Sequence, residues 1–126
     1  MTKRNFAFFN NDSGASAIEF AIVGPVFIGL LIGVMYVCLG LFLAGSLHYA
    51  VEEGARCASV KKTICTSSST IISYAQNAYY GPASSPQFNY DPTAPCGKLV
   101  TASANFVANV GLTTVTIPIS ASACFP

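Results

Sequence analysis

The chemistry available to this chain is narrow. One carboxylate, Glu19, stands five residues after Gly14, and from Phe20 to Val51 no Asp, Glu, Lys or Arg follows it. An acidic side chain beside a long apolar run is costly to keep in lipid, so it reads as a functional candidate. If the chain were cut after Gly14, Ala15 would become a free amine at i to the i+4 of Glu19. In a bundle of such helices, Glu19 of one copy can meet the new amine of the next. That pair would set the axial register while the apolar faces stack.

Other reactive constellations are poor. The chain has a single histidine, His48, at the end of the apolar run, so any Ser–His or Cys–His pair must use it. Glu52 and Glu53 are adjacent and point to different faces of a helix, and Asp91 stands alone in a Pro-rich stretch. There is no phosphate-binding glycine loop and no C-x-x-C metal pair. A non-enzymatic protein is expected, without cofactor, metal or small-molecule substrate. The net charge of +1 gives no field that would gather nucleic acid.

The five cysteines carry a different chemistry. Cys38 lies within the apolar run; Cys57, Cys65, Cys96 and Cys124 all follow it. An even set outside the run reads as two disulfides in an oxidising compartment. Cys96 and Cys124 flank a candidate hairpin, which by exclusion leaves Cys57 for Cys65, but three pairings of four cysteines exist and sequence does not choose among them.

These residues need an element to carry them. Residues 15–60 read as one helix, on the order of 70 Å long at 1.5 Å per residue. Its first part has more than the roughly 20 apolar residues that cross a bilayer. Leu47, Ala50, Val51, Gly54 and Ala58 recur at helical spacing beyond it, and Glu52 and Arg56 stand at i,i+4 in the favourable order. Pro25 removes one backbone donor, so a kink or local unwinding is expected there. Gly29 and Gly33 form a small-xxx-small pair that lets another helix approach.

Residues 1–14 form a short leader with Lys3 and Arg4, and residues 61–126 a small exported domain stapled by its cysteines. The fold class is α+β. Thr70–Tyr80 reads as a short amphipathic helix ended by Gly81-Pro82, Ala83–Pro95 as loop, and the last third as a β-hairpin. With a loop at Ala108–Gly111, Ala104 pairs with Val115, Ala102 with Ile117 and Val100 with Ile119. Pro118 places that last strand at a sheet edge. Tyr79, Tyr80, Phe88 and Tyr90 are expected to cover the small core. Basic residues do not decide orientation, because Arg56, Lys61 and Lys62 balance the leader. The cysteines do, placing the carboxyl side outside and the leader in the cytoplasm.

The stretch GASAIEFAIVGPVF, Gly14 to Phe27, resembles the start of TadE-like proteins, pilin-like minor components of the tight-adherence (Tad/Flp) type IV pilus system. The matching elements are Gly14 before the cut, Glu19 as the fifth mature residue, Phe20 after it and Pro25 in the helix. Glu53 to Val60 resembles the family's post-membrane stretch. The resemblance implies cleavage between Gly14 and Ala15 by a prepilin peptidase. The partners it implies are other pilins or pseudopilins, the pilus assembly platform and inner-membrane lipid. It implies a single-pass inner-membrane location before assembly. An uncut, single-pass, membrane-anchored periplasmic or surface binding module is the alternative.

Overall fold

A computed structural model describes residues 13–82 and 85–126. The leader expected at residues 1–14 therefore lies almost wholly outside the described residues. The elements are α1 (Ser13–Val60), α2 (Ser68–Asn77), β1 (Gln87–Ala94), β2 (Gly97–Val110) and β3 (Thr113–Phe125). The strands form one antiparallel sheet in the order β1-β2-β3. This is the α+β class expected. The chain divides by its internal contacts between Met35 and Tyr36.

The first unit is the amino-terminal part of α1. Its side chains are exposed from Gly14 onward, with Gly24 alone half-buried. The helix runs through Pro25 without interruption, so the expected local unwinding does not occur. A proline costs one hydrogen bond, and the flanking turns hold the remainder.

The second unit owes its core to a change in the pattern of α1. Leu43, Leu47, Ala50, Val51, Gly54, Ala55 and Ala58 are buried. Their three- and four-residue spacing forms one stripe. That stripe joins Val100, Ala102 and Ala104 of β2, Ala121 of β3 and Ile71 of α2 in a single apolar cluster. Three contacts set the direction of β2 against α1. Tyr36 Oη donates to the Asn109 carbonyl (2.9 Å), Gly40 lies beside the Phe106 ring, and Gly54 lies beside Val100. From Tyr36 to Gly54 is about 27 Å of helix, and from Asn109 to Val100 about 30 Å of strand. The two elements match in length and run in opposite directions.

Small residues make this packing close. A Cβ added to Gly54 would meet Ala75 Cβ of α2 at 3.0 Å and both Val100 methyls at 3.5 Å. Helix α2 starts at a capping box in which Ser67 Oγ accepts from Thr70 N–H and Thr70 Oγ1 accepts from Ser67 N–H. Its first turn thus satisfies donors that would otherwise be orphaned. Disulfides join Cys57 to Cys65 and Cys96 to Cys124, with Cα separations of 5.9 and 6.1 Å. The first closes the turn after Val60, where Lys61 and Cys65 N–H donate to the carbonyls of Cys57 and Lys61.

Four expectations need correction. The hairpin register is displaced by four residues: Ala104 pairs with Ile119, Ala102 with Ala121 and Val100 with Ala123. The turn is the two-residue Gly111-Leu112, with φ +66° at Gly111 and no positive φ at Leu112, a glycine-first geometry that suits tight hairpins. Residues 87–94, expected as loop, form β1. Pro92 is tolerated there because β1 is an edge strand whose pairing shifts between Asp91 and Ala94. Helix α2 begins two residues earlier and ends at Asn77, before Gly81-Pro82. Glu52 and Arg56 are both exposed and form no ion pair with each other. Such a surface pair is worth only about 0.3–0.5 kcal/mol, too little to hold two long side chains. Pro118 does lie on an edge strand, β3. Tyr79, Phe88 and Tyr90 pack partly buried against the core, whereas Tyr80 is exposed.

At the β1 irregularity, Asp91 Oδ1 accepts from Thr93 N–H (2.8 Å) and Thr93 Oγ1–H (2.7 Å). The backbone donor first, then the hydroxyl, holds the Asp91 carboxyl below its ordinary pKa. A depressed folded pKa stabilises the fold above the ordinary carboxylate range, and the contribution is lost as pH falls through the lower folded value. Asp91→Asn should therefore flatten the acid limb of a stability-against-pH curve, measured by near-ultraviolet circular dichroism, by lowering stability at neutral pH while leaving acid pH little changed. Leu47→Ala, at a fully buried position, should cost about 2–5 kcal/mol in denaturant unfolding of the second unit. Gly54→Leu should detach α2, seen as lost amide protection at Ile71 and Ala75.

Candidate assembly helix

The candidate functional residues sit together on the first unit. Gly14, Ala15, Glu19, Phe20, Pro25, Gly29 and Gly33 all lie on α1 and all are exposed. Ala15 and Glu19 are one turn apart, about 6 Å along the axis. Within a single chain they belong to one helix face. Glu19 is the lone charged side chain among residues 13–51. At a bilayer centre a buried acid costs on the order of 2.5–3.5 kcal/mol, so a partner or a position near the interface is required.

The rest of the unit is a bare apolar surface. Ile18, Phe20, Ile22, Val23, Val26, Phe27, Ile28, Leu30, Leu31 and Ile32 are exposed in this single chain. Added Cβ atoms at Gly29 or Gly33 would meet nothing within 4 Å. Among the described residues, no intrachain packing accounts for either glycine. α1 is long and apolar enough to cross a membrane, as a single-pass protein requires.

The second unit offers weaker chemistry. His48 lines a groove of about 480 Å³ with Ser103, Ser120 and Ser122. No hydrogen bond joins His48 to any of these serines. Among the described residues no group of three His, Cys, Asp or Glu side chains is placed to hold a metal ion. Lys61 Nζ donates to Tyr74 Oη (2.7 Å) and lies 5.0 Å from the ring centroid. That hydrogen bond, and then the tyrosine's charge, raises the Lys61 pKa. Both groups are at the surface beside α2, so the contact positions the turn after α1. Cys38 is exposed and unbonded.

Two placements were not legible in the sequence. Tyr36 and Ser46 look like incidental polar residues in an apolar run, yet each ties α1 to a distant segment. Ser46 Oγ accepts from Tyr80 N–H (2.8 Å), and Tyr36 reaches Asn109. Their spacing on the buried side of the stripe, at Tyr36, Gly40, Leu43 and Leu47, is the one signal that could have found them.

Comparison with known families bears directly on this helix. Residues 14–56 match the family described as TadE-like protein. The match covers about a third of the chain and lies within α1. It begins at Gly14 and takes in Glu19, Pro25, Gly29 and Gly33. No curated protein and no solved structure shows a significant match. The likeness to TadE-like proteins is therefore shown over residues 14–56, within α1.

Proposed function

We propose that this chain is a minor pilin or pseudopilin of a tight-adherence pilus, cut after Gly14 by a prepilin peptidase and assembled through α1. One observation carries the reading. The Gly14–Glu19 interval heads an exposed, otherwise uncharged helix, and the TadE-like match begins at Gly14. Before assembly the chain spans the inner membrane, with its amino terminus in the cytoplasm. The second unit lies on the periplasmic side, where two disulfides persist. Its other partners are further pilins and the assembly platform.

The physical logic is that of a charge pair in a low dielectric. Cleavage creates the Ala15 ammonium. In the membrane, Glu19 is expensive unless it finds a cation. The nearest cation of the right height is the Ala15 amine of a neighbouring copy or a related subunit. The pair forms only when two helices are in register, so it selects one axial offset from many that apolar packing alone would allow. Gly29 and Gly33 let the helix axes approach, and Pro25 leaves the Ala21 carbonyl without its usual donor.

Intact mass and amino-terminal sequencing of protein from a host with prepilin peptidase should show Ala15 first. Met1 at the terminus would reject processing and leave an anchored binding module. Glu19→Ala should be cut and inserted normally while assembling poorly. A hydrogen bond to a charged group is worth about 1.5–3 kcal/mol, roughly ten- to hundredfold per contact. Sheared-pilus yield measures it, and wild-type yield would reduce Glu19 to a helix-start residue. Gly29→Leu with Gly33→Leu should weaken helix association in a membrane two-hybrid assay without changing the second unit's circular dichroism.

A further inference from the structure

Between α1 and α2 the second unit holds a recess of about 310 Å³. It is lined by Tyr49 and Glu53 of α1, Tyr74 and Asn77 of α2, and Ala78 and Tyr80 just after α2. Its construction follows from spacing. Ser46, Tyr49 and Glu53 stand three and four residues apart, so they share one side of α1. Tyr74, Asn77 and Ala78 share one side of the α2 end in the same way. Gly54 lets the two helices meet closely at Ala75. Ser46 Oγ accepts from Tyr80 N–H (2.8 Å), which returns the chain to α1 once α2 has ended. All of these residues lie within the second unit.

The lining combines three phenol rings with one carboxylate. Tyr49 is 51% exposed and Tyr80 73%, so neither ring is spent on the core. Among the described residues, the Glu53 carboxylate makes no hydrogen bond or ion pair, and neither do the Tyr49 and Tyr80 hydroxyls or the Asn77 side-chain amide. No basic residue lines the recess. Aromatic faces carry negative charge density, and together with a carboxylate they attract a cation. One cation already sits at the rim. Lys61 Nζ donates to Tyr74 Oη (2.7 Å) and lies 5.0 Å from the Tyr74 ring centroid. The hydrogen bond to Tyr74 and then its charge raise the Lys61 pKa, and Glu53 adds a smaller push in the same direction against Arg56. The rings and the carboxylate therefore act on an ammonium group within the folded chain.

We infer that this recess binds the guanidinium of an arginine side chain presented by a partner protein. Among organic cations, guanidinium uses the lining most completely. Its plane stacks on a phenol ring, and its N–H donors fork onto a carboxylate, here Glu53. The remaining donors meet amide and phenol oxygens, which Asn77, Tyr49 and Tyr80 supply. A quaternary ammonium would leave those acceptors unused, and a lysine ammonium has no plane to stack. The volume is at the small end for ligand sites, which suits one side chain rather than a large ligand. Lys61 competes for the Tyr74 ring and repels a second cation, so it holds the affinity down. The site lies in the second unit and does not depend on cleavage at Gly14 or on α1 crossing a membrane.

The full chain, isotopically labelled and held in a non-ionic polyoxyethylene detergent, is titrated with N-acetyl-arginine methylamide. The amide resonances of Asn77, Ala78 and Tyr80 report binding. The probe should shift them saturably, while its neutral isostere N-acetyl-citrulline methylamide does not. Glu53→Gln should weaken binding about tenfold or more, as loss of a charge-assisted hydrogen bond does. Tyr49→Leu should weaken it about two- to fivefold, the range of one exposed cation–π contact. Lys61→Gln should tighten it several-fold, which a purely structural role for Lys61 would not produce. Equal binding of the citrulline probe overturns a cationic ligand. Equal or tighter binding of N-acetyl-lysine methylamide overturns the choice of guanidinium. Saturable shifts with methyl glucoside and none with the arginine probe assign the recess to a sugar and also overturn it. So does the absence of any shift with the arginine probe in both the wild-type chain and Lys61→Gln. If Glu53→Gln disturbs the fold, seen as lost amide protection at Ile71, the citrulline comparison on the wild-type chain decides.

Discussion

The central constraint is that one uncharged helical segment, Phe20 to Val51, must satisfy two environments. Through Phe42 nearly every side chain on it is apolar and exposed. Such a surface is not tolerated in water over this length, so it demands lipid or the helices of other subunits. From Leu43 the same helix presents one buried stripe to a sheet and a polar face to solvent. The change occurs within a continuous α-helix, with no linker between anchor and domain scaffold.

The small domain compensates for its size by close contact and by cross-links. Ala102, Ala104, Ala108 and Ala121 give the sheet a thin inner face, and Gly54 of α1 admits Val100 of β2 and Ala75 of α2. Backbones thus approach closely, which favours dispersion contacts over large side-chain volume. The hairpin is closed at one end by Gly111-Leu112 and at the other by Cys96–Cys124. Cys57–Cys65 closes the turn that leaves α1. Both cross-links restrict the unfolded chain where a core of this size contributes little.

The parts that could be read in advance are those governed by local rules. The extent of α1 to Val60 follows from composition and three-four spacing, both properties of neighbouring residues. The edge position of β3 follows from Pro118, which cannot donate in a ladder. β1 was hidden because Pro92 and Pro95 look like loop residues, and their tolerance depends on which side of the sheet lacks a neighbour. The hairpin register was hidden for another reason. Val115, Ile117, Ile119, Ala121 and Ala123 all share one parity. Sliding the strand by four residues keeps every side chain on its face, so apolar alternation cannot distinguish the two pairings.

By itself, then, the sequence determined the apolar anchor, the isolated carboxylate five residues after Gly14 and the supply of four cysteines beyond the anchor. Each is a matter of residue type and short-range spacing. Only the tertiary structure decided which glycine makes the turn, that residues 87–94 form a third strand, and that Tyr36 meets Asn109. Those outcomes depend on contacts between segments more than sixty residues apart or on which sheet edge stays open, and no local pattern encodes either.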